Sequence, residues 1–206
     1  MSKLVPALGM LGAGSVAGGG ILLSSKLLSN NKETIKDRLE KDKYKVLDSS
    51  TNEHWSTILA SYQKAENKWK LKGEGMSDVS ALKRACEAQV GSEYSEELYK
   101  SFTKWCVVPR TAEDLLRDKF SLLESNDTVD TDKADWKHNV DNYESYKTKH
   151  NKYALSDVSL DGKSTEGDKA KVLKTGCKTR KGKFTYDVDL DSAMEEIKTW
   201  CLAKAS

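Results

Sequence analysis

Four cysteines, Cys86, Cys106, Cys177 and Cys201, are the residues here with the widest chemical repertoire. Thiols can ligate zinc, attack as nucleophiles or oxidise to disulfides. Structural zinc sites draw their ligands in close pairs such as C-x2-C, and no two of these cysteines lie closer than 20 positions. A nucleophilic cysteine needs a base beside it, and no motif supplies one. Two readings remain. Either the four form two disulfides, in one of three connectivities, or they are buried thiols in a reducing compartment.

The other reactive side chains form no constellation. His54, His138 and His150 include no pair at metal-ligand spacing, and HExxH, P-loop, dinucleotide and nucleophile-elbow patterns are absent. Asp187, Asp189 and Asp191 alternate like the start of a calcium loop, but the glycine at the sixth position and the glutamate at the twelfth are missing. Lys174, Lys178, Arg180, Lys181 and Lys183 make a basic cluster that could touch phosphate headgroups or an acidic surface, and that reads first as a solvated loop. No catalytic residue, cofactor or metal is expected, so the chain does not read as an enzyme. Acids and bases are interleaved with a net charge of +2, which gives no electrostatic reason for a nucleic-acid partner.

An internal repeat decides between the cysteine connectivities. Leu39 to Ser49 resembles Leu115 to Ser125 at an offset of 76 positions. Trp55 and Tyr62 then match Trp136 and Tyr143 at an offset of 81. The Leu-Lys-x-x-Cys ending at Cys86 matches the one ending at Cys177, and the Trp-Cys pair at Cys106 matches the one at Cys201. The landmarks keep one order in both halves, and the growing offset places insertions in the second, the largest around 156–168 with Gly162 and Gly167 marking a loop. A unit that preceded duplication most simply bridged its own pair. The expected disulfides are therefore Cys86 to Cys106 and Cys177 to Cys201, each worth about 3 kcal/mol in the chain-entropy model.

These landmarks sit on a helical pattern. The chain has 206 residues, 32% charged and 37% hydrophobic, and its only prolines are Pro6 and Pro109, so long helices are unobstructed. Asn31 or Thr34 could cap a helix bearing Ile35, Leu39, Val46 and Leu47. Trp55, Ile58, Leu59, Tyr62 and Trp69 recur at helical spacing, with Lys72 to Gly75 ending that helix. Ser77 with Asp78 opens a third, through Val79, Leu82, Cys86 and Val90. Ser95 opens a fourth, with Leu98, Phe102 and Trp105 on one side and Pro109 closing it. In the second half, Thr111 to Asp114 looks like a cap before Leu115 and Leu116. Trp136, Val140, Tyr143 and His150 line the next helix, and a shorter one bears Val172, Leu173 and Cys177. Ser192 to Glu195 reads as a capping box before Ile197, Trp200 and Cys201. Phe184, Tyr186, Val188 and Leu190 alternate with polar residues and suggest a short extended segment. The aromatic stripes read as core rather than as a ligand groove.

The N-terminus has a different character. No charged residue occurs from Leu4 to Ser25, between Lys3 and Lys26. As a helix this run would rise about 33 Å, enough to cross a hydrocarbon core of roughly 30 Å. It is glycine-rich, as membrane spans tolerate, and Gly14 with Gly18 fits the small-xxx-small spacing of close-packed spans. Leu4, Gly14, Gly18, Ile21 and Leu28 mark this segment, read as a single-pass anchor or alternatively a cleaved secretory signal. Flanking lysines, more numerous after the segment than before it, favour a cytoplasmic domain. The cysteine pattern favours an oxidising space, and the main domain is expected outside.

In its Gly-rich opening from Met1 to Leu28, its Lys/Glu-rich helical body and its Leu-Lys-x-x-Cys and Trp-Cys landmarks, the chain resembles the uncharacterised exported proteins that form large paralogous families in haemotropic mycoplasmas. That resemblance implies placement at a bacterial surface without a cell wall and a host-interaction or antigenic role. It supplies no catalytic or binding residues. The expectation is thus an all-α protein with a transmembrane or signal helix at 1–30 and two tandem units of about four helices at 31–110 and 111–206. Its partners would be membrane lipid, through the N-terminal segment, and a host-cell surface, with the oligomeric state open. A structural membrane protein with a cytoplasmic helical domain is the alternative, and an enzyme accessory subunit a weaker one.

Overall fold

The capping residues decide where most helices begin. The computed structural model describes residues 32–73, 75–126 and 131–204. The apolar run from Leu4 to Ser25, and with it Leu4, Gly14, Gly18, Ile21 and Leu28, lies outside them. The described residues form eight helices and no strand: α1 Ile35–Lys41, α2 Trp55–Tyr62, α3 Val79–Gln89, α4 Glu96–Trp105, α5 Ala112–Leu116, α6 Lys133–His150, α7 Glu166–Lys181 and α8 Leu190–Trp200. Thr34, Asp78, Ser95, Thr111 and Thr165 each accept a hydrogen bond from a backbone N–H of the first turn that follows, which satisfies a donor the helix itself leaves open. Thr34 with Asp37, and Thr111 with Asp114, close the bond reciprocally as capping boxes.

Glu33–Ser206 is one compact unit, built round two apolar clusters. One gathers Ile35, Leu39, Trp55, Ile58, Leu82, Phe102 and Trp105; the other gathers Leu116, Leu123, Trp136, Val140, Tyr143, Leu173 and Ile197. The helix pairs in substantial contact each lie within one half: α1 and α2 on α4 and α2 on α3, then α5 and α7 on α8, α6 on α7 and α5 on α7. The halves join through residues 107–111 and through the 184–189 turn, whose Tyr186 and Val188 pack against the first cluster.

Corresponding backbone groups make corresponding bonds. Ile35 N–H donates to Ser92 O and Tyr94 N–H to Glu33 O; Ala112 N–H donates to Lys183 O and Thr185 N–H to Arg110 O. Leu47 N–H donates to Cys106 O and Val108 N–H to Lys45 O; Leu123 N–H donates to Cys201 O and Ala203 N–H to Ser121 O. The indole N–H of Trp55 donates to Asp48 O, and that of Trp136 to Glu124 O. Each half thus pins its first helix and the segment after it by short antiparallel bridges, Thr34 to Glu93 and Val46 to Val107, then Thr111 to Phe184 and Leu122 to Leu202.

Several elements differ from what the residue pattern leads one to expect. The offset of 76 holds for Leu47 and Leu123, but inside the first helix the buried partner of Leu39 is Leu116 rather than Leu115. The capping boxes are 77 apart, and α5 is shorter than α1. Val46 and Leu47 lie beyond α1 in a bridge, because Asp42 and Lys43 stop the helix, Lys43 with φ 58°. Helix α2 ends at Tyr62 rather than at Lys72 to Gly75: the Asn67 amide donates to Tyr62 O and turns the chain, so Trp69 is off the helix. Helix α7 is long rather than short and takes in Gly167. Residues 184–189 are turns with one bridge, and Leu190 already begins α8, so no extended segment forms, because the Asp187 carboxylate accepts the Phe184 N–H and folds the chain back. The Ser192 hydroxyl donates to Asp189 O from inside α8 and does not cap it.

Candidate functional site

Two cystines form the covalent centre of the domain. Cys86 is bonded to Cys106 and Cys177 to Cys201, and no cysteine is free. In each half a cysteine on the third helix meets the residue that ends the fourth. Cys106, Cys177 and Cys201 are fully buried and Cys86 nearly so. Beside each bond stands an edge-on aromatic pair, Tyr62 with Trp105 and Tyr143 with Trp200.

The second and third helices are joined by a loop that each half latches from the end of its third helix. In the first half the Gln89 amide donates to Lys72 O and Ala85 O and accepts Lys72 N–H. At the matching place Arg180 donates to Gly176 O, grips both carboxylate oxygens of Asp157 at 2.6 and 3.1 Å, and reaches Glu196 at 2.5 Å. Burial works against the Arg180 charge, but its bonds to Asp157 and Glu196 outweigh that and raise its pKa. The hydrogen bond from Arg180 in turn holds Asp157 below the usual carboxylate range.

Lys181, next along, is buried where the first half has Val90. Its ammonium donates to Leu123 O and to Ser125 Oγ at 2.9 Å, and burial depresses its pKa. Around Val90 the first half keeps instead a small pocket of about 260 Å³ that Trp55, Lys83 and Cys86 help to line. The basic cluster is therefore no solvated loop. Four of its members lie on α7; Lys174, Arg180 and Lys181 are buried, Lys174 with its ammonium 5.7 Å from the Trp136 ring centroid, and Lys183 pairs with Asp189 at 2.9 Å. Long aliphatic stems let such residues cover apolar surface.

The remaining candidates are scattered. His54 precedes α2 with φ 64° and lies 3.4 Å from Glu53, whereas His138 is inside α6 beside Asn142 and His150 stacks near Tyr146. The surroundings of His54 and His138 are thus not alike. Asp187 folds its own turn, Asp189 pairs with Lys183, and Asp191 lies 3.7 Å from Lys104. Among the described residues no group of three or more His, Cys, Asp or Glu could hold a metal, and no helix is long and apolar enough to cross a membrane.

One open concavity is large. A groove of about 830 Å³ runs between α1 and α4 on one side and α5 and α8 on the other. On its first-half wall Tyr99 donates to Asp42 at 2.5 Å, and Arg38 bonds the same carboxylate while lying 5.9 Å from the Tyr99 ring. Burial, then the hydrogen bond to Asp42, drives the Tyr99 pKa far above its ordinary value. Burial opposes ionisation of Asp42, but the bonds from Tyr99 and Arg38 outweigh it and lower its pKa. This groove was not legible in the sequence, because its walls come from positions up to 156 residues apart.

No family model, no curated protein and no solved structure matches the chain.

Proposed function

We propose that this chain is a membrane-anchored, surface-exposed protein whose helical domain stands in an oxidising space and acts there by binding, in a host-interaction or antigenic role like that of the exported haemotropic-mycoplasma families it resembles. The observation that carries this reading is the pairing of every cysteine within its own half. Disulfides persist in exported domains and are rare in reducing compartments. A charged domain with modest apolar content also has use for two covalent staples.

The domain descends, in this reading, from a tandem duplication of one unit of four helices and one cystine. The matched capping boxes, bridges, indole bonds and aromatic pairs support it. The apolar run from Leu4 to Ser25 serves as the anchor. The side chains act through shape and charge rather than turnover.

The test is labelling of intact cells with a membrane-impermeant thiol reagent. Label that appears only after reduction supports the reading. Label that requires lysis but no reductant overturns it in favour of a cytoplasmic domain. Partition of the protein into detergent, against release into the medium, separates an anchor from a cleaved signal.

A further inference from the structure

The groove between the two halves has an incompletely satisfied cation in its wall. The Lys104 side chain is 6% exposed, yet its ammonium has only long contacts, Asp187 O at 3.4 Å and Asp191 Oδ1 at 3.7 Å. An ammonium carries three donors, and Asp191, with Asp187 and Asp189 also acting on the charge, offsets only part of the cost of burying it. Another groove residue, Arg110, is held in one orientation: its guanidinium lies 5.3 Å from the Tyr44 ring centroid and donates to Asp114 O at 3.0 Å. Among the described residues no carboxylate oxygen lies within ion-pair distance of it, although its charge acts on Asp114, so the donors not spent on Asp114 O remain for a planar oxo group. Lys43 and Lys119, exposed in the same lining, likewise form no ion pair among the described residues.

The groove is not uniformly positive. Asp118 shares the lining and, like Asp114 and Asp191, would repel a long polyanion while accepting hydrogen bonds from hydroxyl groups. One anionic group carried on a polyhydroxylated body fits both sets of side chains. The volume of about 830 Å³ also falls in the range of small-molecule sites.

We propose that this groove binds an acidic sugar, carboxylated or sulfated, with Lys104 and Arg110 on its anionic group and the groove carboxylates on its hydroxyls. The proposal holds wherever the domain resides, so it stands or falls separately from the surface location.

The test uses the oxidised full-length chain in detergent micelles. It is titrated with glucuronate, glucose 6-sulfate, glucose, inorganic sulfate and a heparin-like polyanion, and followed by calorimetry and by the fluorescence of the protein, whose Trp69 lines the groove. Saturable binding of glucuronate or glucose 6-sulfate is expected, weakened by salt, and not matched by glucose. Arg110→Ala should weaken it about tenfold or more, and Lys119→Ala, at an exposed position, should weaken it less without disturbing the fold. Lys104→Met should abolish it, and far-UV circular dichroism will show whether that variant folds. Absence of saturable binding, equal binding of glucose, binding of inorganic sulfate as tight as the acidic sugars, or tighter binding of the polyanion would overturn the proposal. So would an affinity left unchanged in both Arg110→Ala and Lys119→Ala.

Discussion

Trp105 meets the ring of Tyr62 edge-on, with centroids 5.2 Å apart and planes at 74°. Trp200 and Tyr143 hold the same relation at 5.0 Å and 88°. Each tryptophan immediately precedes a bridged cysteine, and each tyrosine hydroxyl accepts a backbone N–H from the loop ahead, Leu71 in one half and Leu155 in the other. The tyrosine therefore ties the second helix, the loop and the cystine into one packed group, and such aromatic pairs add roughly 0.5–1.5 kcal/mol beyond their burial.

Loss of either disulfide should be severe. Substituting Cys86 and Cys106 together with serine, or Cys177 and Cys201 together, should each cost about 2–5 kcal/mol. Urea unfolding with and without reductant measures this. The unaltered bond should persist in each double variant, as judged by mass spectrometry after alkylation.

Gly176 is needed for space rather than for flexibility. A Cβ at this position would overlap Val158 Cγ2. Although alanine is the better helix former by about 1 kcal/mol, Gly176→Ala should destabilise by about 1–3 kcal/mol through overpacking. Val158→Ala in the same chain should recover part of that loss. A Gly176→Ala variant more stable than the native chain in urea would refute the close approach.

The two tyrosines should differ in what their hydroxyls contribute. Tyr143 accepts Leu155 N–H at 3.1 Å and sits 2.9 Å from Val158 O, to which it can donate. Tyr143→Phe should cost about 1–3 kcal/mol because buried backbone groups lose their partner. Tyr62 receives one N–H, at 3.3 Å, and Tyr62→Phe should cost less under the same denaturation assay.

Acid should weaken the second half through Asp157. Its hydrogen bond from Arg180 lowers its pKa below the ordinary 3.8. At pH values just under 3.8 the unfolded chain then binds more protons than the folded one. The stabilisation is fully present above that value and is lost as pH falls through the folded pKa. Asp157→Asn should flatten this part of the stability profile between pH 5 and pH 2, an interval of about 3 units chosen to bracket both states. An unchanged slope would show that the Arg180 latch does not carry the acid response.

Sequence order revealed the cystines because a cysteine beside a tryptophan, repeated with a Leu-Lys-x-x-Cys before it, is a rare coincidence of types. The caps at Asp78, Ser95 and Thr111 were equally legible, and Thr34 was one of two candidates with Asn31, since a capping side chain bonds the backbone only three positions ahead. Residues that bond far along the chain were not. Asn139, standing on α6 at the place where α2 carries Ile58, donates to Trp200 O and Leu202 O from a buried site. Arg180 and Lys181 looked like a solvated charge run, because nothing local distinguishes a surface lysine from one folded over a core.

Residue types and spacing alone pointed to the all-helical class, to most of the aromatic core positions and, given oxidation, to which cysteines join, since these follow from short-range periodicity and from the recurrence of one pattern. Tertiary structure decided where α2 stops, that residues 184–189 turn back instead of extending, and that Lys104 and Arg110 come to line one groove with Lys43 and Lys119. Local preferences act through neighbours a few positions away. A groove between α1, α4, α5 and α8 exists only once remote segments have packed, and no stretch of the chain contains both its walls.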